Sequence, residues 1–155
     1  MQNYGDKFQP VEKASGGVNT LFGNPPIVSD FNGDGWPDLV WANLDGESLA
    51  YMNKGGDRNW IKVRLPNTAR SLNARVTVKA SNGLTQTKQL LTSQGLGSDQ
   101  GRDLIFGLGD AESATSVTVE FQNGVTRSFD APKNGSLITA SALSLIHISE
   151  PTRPY

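Results

Sequence analysis

Residues 30–42 read Asp-Phe-Asn-Gly-Asp-Gly-Trp-Pro-Asp-Leu-Val-Trp-Ala, and whether this run leads into a helix or a strand decides the fold. Asp30, Asn32, Asp34 and Asp38 set oxygen-bearing side chains on one short loop. Gly33 and Gly35 let the backbone wrap, because glycine reaches positive φ without steric cost. A hard cation such as Ca²⁺ takes about six to eight oxygens at roughly 2.3–2.6 Å. Converging carboxylates with no basic residue between them repel unless a cation sits at their centre. Asp, Asn, Gly and Pro also build turns, but a turn has no need of an acid or amide at positions one, three, five and nine of the same run. The residues therefore predict a calcium site: side-chain ligands Asp30, Asn32, Asp34 and Asp38, the carbonyl of Trp36, and water. An EF-hand needs a bidentate Glu at its twelfth position and helices on both sides. Counted from Asp30, that position is Trp41. Pro37 is unsuited to a helix interior, and the apolar run 39–42 has strand character. The reading is strand–loop–strand, and the chain is expected to be all-β.

The stretch from Pro25 to Asn43 resembles one blade of the FG-GAP/VCBS repeats. The resemblance implies a calcium-bearing β-propeller, in which Asp30, Asn32, Asp34 and Asp38 ligate through side chains and Trp36 through its carbonyl. No second copy of the acidic loop occurs. A single blade cannot bury both faces and needs neighbours beside it. The chain is thus expected to be the C-terminal part of a longer protein, packing against upstream blades that this sequence lacks.

Composition narrows the function. Seventeen glycines and a hydrophobic content of 36% fit a turn-rich β chain better than disorder. The formal net charge of −1, without runs of like charge, offers no footprint for nucleic acid or an anionic membrane. No apolar stretch is long enough to span a bilayer, and the first residues lack the regions of a signal peptide. Cysteine is absent and the one histidine, His147, lies near the C-terminus. A body without His or Cys cannot assemble a Ser-His-Asp or Cys-His nucleophile, so no enzyme is expected. Asp34 and Asp38 as a general acid–base pair would lack a pocket, and metal binding accounts for every carboxylate.

Along the chain, residues 1–20 show little periodicity beyond one short strand around Phe8 and Val11. Strands are predicted at 39–42 and 48–52 about an Asp-Gly turn. A linker follows at 53–57, and a second region then alternates clearly. Ile61, Val63 and Leu65 share one face of 59–65; Trp60, Lys62 and Arg64 share the other. Ala74, Val76, Val78 and Ala80 face inward from 74–80, and Val117, Val119 and Phe121 from 115–121. With 84–92, 103–107, 126–129 and 136–140 this makes roughly seven strands. Ser81-Asn82-Gly83 and Gln122-Asn123-Gly124 read as hairpin turns in which two residues take positive φ.

This second region, about 59–128, resembles the ASPIC/UnbV domain. The matching residues are Asn59-Trp60-Ile61-Lys62-Val63-Arg64-Leu65, Ala74-Arg75-Val76-Thr77-Val78, Phe106-Gly107-Leu108-Gly109 and a Val-x-Val strand at 117–119. Leu72-Asn73 departs from the family's Ile-Gly, yet Asn tolerates a left-handed backbone. Leu96-Gly97-Ser98-Asp99 and Phe121-Gln122 replace its aromatic, Ser-Gln and Trp-Pro positions. The tail from Ser144 resembles translated sequencing-adapter DNA, and residues from about 142 onward are left out of the fold expectation.

Gly107-Leu108-Gly109 is a turn rather than a phosphate loop, having neither the third glycine nor a following helix. Lys62, Arg64, Arg75, Lys79 and Lys88 are expected on a solvated outer face. Trp41 is expected in the core, and Trp60 as the exposed aromatic, available for sugar stacking or for contact with the propeller. The sequence thus predicts an all-β chain: a partial propeller blade (1–57), a small sandwich or partly closed barrel (58–141) and a tail (142–155). The expected function is that of a non-catalytic, calcium-binding adhesion or scaffold module with an unidentified protein or polysaccharide ligand. It is expected outside the cell, in the periplasm or at the cell surface. The alternative is a carbohydrate-binding module attached to a secreted enzyme.

Overall fold

Strands with apolar residues at every second position have one face to bury, and two such sheets can bury each other. The structure, a computed structural model, describes residues 25–44, 46–91, 93 and 101–142, with the backbone course of 2–3, 8–9, 94–95 and 98–99. Its strands are β1 (Gln2–Asn3), β2 (Phe8–Gln9), β3 (Ile27–Ser29), β4 (Asp38–Trp41), β5 (Leu49–Tyr51), β6 (Asn59–Arg64), β7 (Arg75–Ala80), β8 (Thr85–Gln89), β9 (Ser93–Gly95), β10 (Ser98–Asp99), β11 (Asp103–Gly109), β12 (Ala114–Glu120), β13 (Thr126–Asp130) and β14 (Leu137–Thr139). Apart from one 3₁₀ turn, Ala69–Ser71, no helix occurs among the described residues. The all-β expectation holds.

The second region forms two sheets, ordered β11-β6-β14 and β13-β12-β7-β8. Neither closes into a barrel. β6 lies at the centre of the first sheet, antiparallel to β11 and parallel to β14. The inward residues of both sheets meet in one core, with Ile61, Val63, Val76, Val78, Phe106, Leu108, Val117 and Val119 all fully buried. Each such side chain contributes about 1.5–3 kcal/mol by leaving water. The core reaches Ala140 and Ala142, so Ala142 belongs to the folded unit and not to the excluded tail. Later tail residues, including His147, lie outside the described part, as do Val11 and Leu96-Gly97.

Asn73 takes φ 57, the left-handed turn expected where the resembling family has glycine. The hairpin loops differ from expectation. In each, only the glycine has positive φ, Gly83 at 88° and Gly124 at 81°. The N–H of Gly83 donates to the Ala80 carbonyl and that of Ala80 to the Leu84 carbonyl; Phe121, Gly124 and Val125 repeat the scheme. Both are three-residue loops ending in a left-handed glycine. Asn82 and Asn123 instead accept from the N–H groups of Leu84 and Val125 through their side chains.

The first region is an antiparallel meander, β3-β4-β5. Trp41 does not join the core. It stands half-buried on the meander, edge-on to Tyr51 with ring centroids 6.0 Å apart. Phe31, Leu44 and Met52 are exposed there too.

Candidate functional site

The acidic run 30–38 connects β3 to β4, and its carboxylates organise the loop by accepting its backbone N–H groups. Asp30 Oδ1 accepts from Gly33 at 2.7 Å and Oδ2 from Gly35 at 2.9 Å. Those contacts require the wrap that Gly33 and Gly35 supply, at φ 80° and 88°. Asp34 Oδ1 accepts from the N–H of Trp36, and Asp34 Oδ2 from the Asn32 amide at 2.8 Å. Asp38 is 1% exposed; its oxygens accept from the N–H groups of Phe31 and Asn53, both under 3.0 Å at 2.9 and 2.7 Å. Through Asn53, Asp38 ties the loop to the chain leaving β5.

The loop also rests on β6, and here the structure corrects the sequence reading. The side of β6 bearing Trp60, Lys62 and Arg64 is no solvated face. Lys62 is buried, and its Nζ donates to Asp30 Oδ2 in an ion pair whose side chains are 8% and 1% exposed. The same ammonium lies 5.6 Å from the centroid of the Trp60 ring. That indole covers Gly35 so closely that a Cβ there would sit 1.8 Å from Trp60 Cε2. Arg64 stays exposed and forms a bidentate pair with Asp103 at 2.8 and 2.7 Å, which raises its pKa. Arg75, Lys79 and Lys88 are exposed as expected.

Burial alone would raise the Asp30 carboxyl. The Lys62 ammonium and the N–H groups of Gly35 and Gly33 outweigh it, so the group lies below its ordinary value of 3.8.

The donor chemistry of the loop, carboxylates, a carboxamide and a main-chain carbonyl, is that of a hard-cation site. Its arrangement is more open than a finished cage. Among the described residues no three acidic or imidazole side chains converge as metal ligands. Asn32 and Asp34 are exposed and bonded to each other, whereas Asp30 and Asp38 are anchored.

Beside the loop a half-open cleft of about 870 Å³ separates the meander from the sheets. Val28, Trp36 and Pro37 line one wall, and Trp60, Lys88 and Ile105 the other. β8 supplies that second wall by capping β11. Gln86 Nε2 donates to the Gly107 carbonyl at 2.6 Å, and Lys88 Nζ to the Ile105 carbonyl at 2.5 Å. These side-chain bonds join the two sheets where no ladder does.

Sequence reasoning identified the loop and missed its seat. The clue lay in β6, where Trp60 and Lys62 share a face and an acidic loop precedes them in the chain.

Residues 65–143 match the family model described as ASPIC and UnbV. The chain is 30% identical over 147 residues to cartilage acidic protein 1 of Mus musculus, covering 88% of this chain and 21% of that protein. It is likewise 30% identical over 131 residues to cartilage acidic protein 1 of Homo sapiens, covering 79% of this chain and 18% of that protein. It thus spans about a fifth of the length of these relatives. No solved structure matches it.

Proposed function

Because the chain belongs to the ASPIC/UnbV family, we propose that it is a non-catalytic module of an extracellular protein, a scaffold whose acidic loop binds calcium. The meander is then the last blade of an FG-GAP/VCBS-type propeller, and the two-sheet unit caps it. The exposed apolar Phe31, Leu44 and Met52, in the segments flanking the meander strands, suit contact with a neighbouring blade. No described helix is long and apolar enough to cross a membrane.

One observation carries the scaffold reading: the carboxylates of the loop bind backbone and Lys62, so they serve to hold two parts of the chain together. Calcium extends that role. Asp30 and Asp38 are already placed, and Asn32 and Asp34 exchange their mutual hydrogen bond for the ion, with the Trp36 carbonyl completing the protein's share. An ion held only by the folded state stabilises it by about 2.7 kcal/mol at a hundredfold excess over Kd.

Thermal melting tests this directly. In millimolar calcium the full chain melts several degrees higher than in chelator, and Asp34→Ala melts alike in both. Identical melting of the unmodified chain with and without calcium would overturn the proposal.

A further inference from the structure

The cleft between meander and sheets carries an unmatched charge. Of its charged lining residues, Arg58 pairs with Asp110 and Asp103 with Arg64. Lys88 pairs with no carboxylate among the described residues. Among the described residues its ammonium touches the Ile105 carbonyl and the face of the Phe106 ring, 5.3 Å to the centroid. Lys88 is exposed along β8, and partial burial of its side chain lowers its pKa from the ordinary 10.5.

The two indoles of the cleft are half-buried and held in place. Trp60 sits on Gly35, and Trp36 lies against Gly56, where an added Cβ would be 3.1 Å from Cη2. Rigid aromatic walls offer flat apolar contact at little entropic cost. The cleft has the size of a small-ligand site.

We propose that this cleft binds an acidic saccharide, a uronate-bearing glycan whose sugar C–H faces lie on Trp36 and Trp60 while a carboxylate pairs with Lys88. Flat sugar faces suit the two indoles, and the carboxylate supplies a counter-ion that Lys88 does not find among the described residues. An acidic peptide would satisfy the lysine but leave the indoles without matching faces. The inference is independent of calcium at the loop.

Calorimetric titration of the full chain tests it, with cellotetraose, its C6-oxidised tetra-uronate and a hexaglutamate peptide as probes, once in calcium and once in chelator. The uronate is expected to bind in at least one condition, more weakly as salt rises, and at least about tenfold tighter than either other probe. Lys88→Gln keeps a donor for the Ile105 carbonyl and is expected to lose that margin while its cellotetraose affinity stays unchanged. Trp36→Ala, with its melting temperature checked, is expected to weaken both sugars. The proposal is overturned by no uronate binding in either condition, by cellotetraose or hexaglutamate binding as tightly as the uronate, or by an unchanged margin in folded Lys88→Gln. The probe comparison on the unmodified chain decides the matter even if a variant fails to fold.

Discussion

Gly35 carries two constraints where Gly33 carries one. Both have positive φ, at 88° and 80°, but a Cβ on Gly33 meets nothing within 4 Å, whereas one on Gly35 collides with the Trp60 indole. Gly33→Ala therefore adds only left-handed strain, about 1–2 kcal/mol. Gly35→Ala adds that strain and must also unseat the indole, for about 2–5 kcal/mol in total. Urea denaturation of the two variants separates these cases; equal losses would mean that Trp60 does not rest on the loop. Both glycines were legible in the sequence as places where the backbone wraps. The indole above one of them was not, because Trp60 lies 25 positions further along the chain.

At the scale of elements, alternation correctly marked the core strands, and the edges were decided by contacts between them. β8 carries Thr85, Gln86, Thr87, Lys88 and Gln89, a polar run with no buried face. It earns its place by pairing with β7 and by capping the β11 carbonyls with Gln86 and Lys88. The two hairpin loops show a finer discrepancy. An Asn-Gly pair suggests two positive φ angles, yet here the asparagines act through their side chains and only the glycines are left-handed. Gly83→Ala and Gly124→Ala are each expected to cost about 1–2 kcal/mol, and the double variant their sum, since the loops end different hairpins. Asn82→Ala removes a single exposed side-chain bond and should cost less than either. Chemical denaturation of the four variants checks the order; an asparagine variant costing as much as its glycine neighbour would contradict the loop geometry.

Across the whole molecule, the Lys62–Asp30 pair links the meander's loop to the central strand of the first sheet. Leaving Asp30 buried without its partner, as in Lys62→Met, is expected to cost about 3 kcal/mol. Asp30→Asn in that background should recover part of the loss, and the double-mutant cycle measures the coupling. The pH dependence follows from the lowered Asp30 pKa. Its stabilisation is fully present above the ordinary value of 3.8 and fades as pH falls below it, through the depressed folded-state value. Lys62→Met removes a main cause of that depression, so its stability should fall less steeply on the acid side. Unfolding free energies measured at several acidic pH values test this; parallel curves for the two proteins would rule out the linkage.

The sequence by itself determined the strand content, the inward face of each core strand and the cluster of oxygen donors between residues 30 and 38. These follow from periodicity and spacing along a covalent chain, which need no knowledge of distant partners. Only the tertiary structure decided that Lys62 is buried against Asp30, that Trp60 covers Gly35, that Trp41 stays outside the core, and that Lys88 lines a cleft with no carboxylate partner among the described residues. Alternation places a side chain on one face or the other of a strand. Whether that face meets water or another element depends on which loops the sheets bring alongside it.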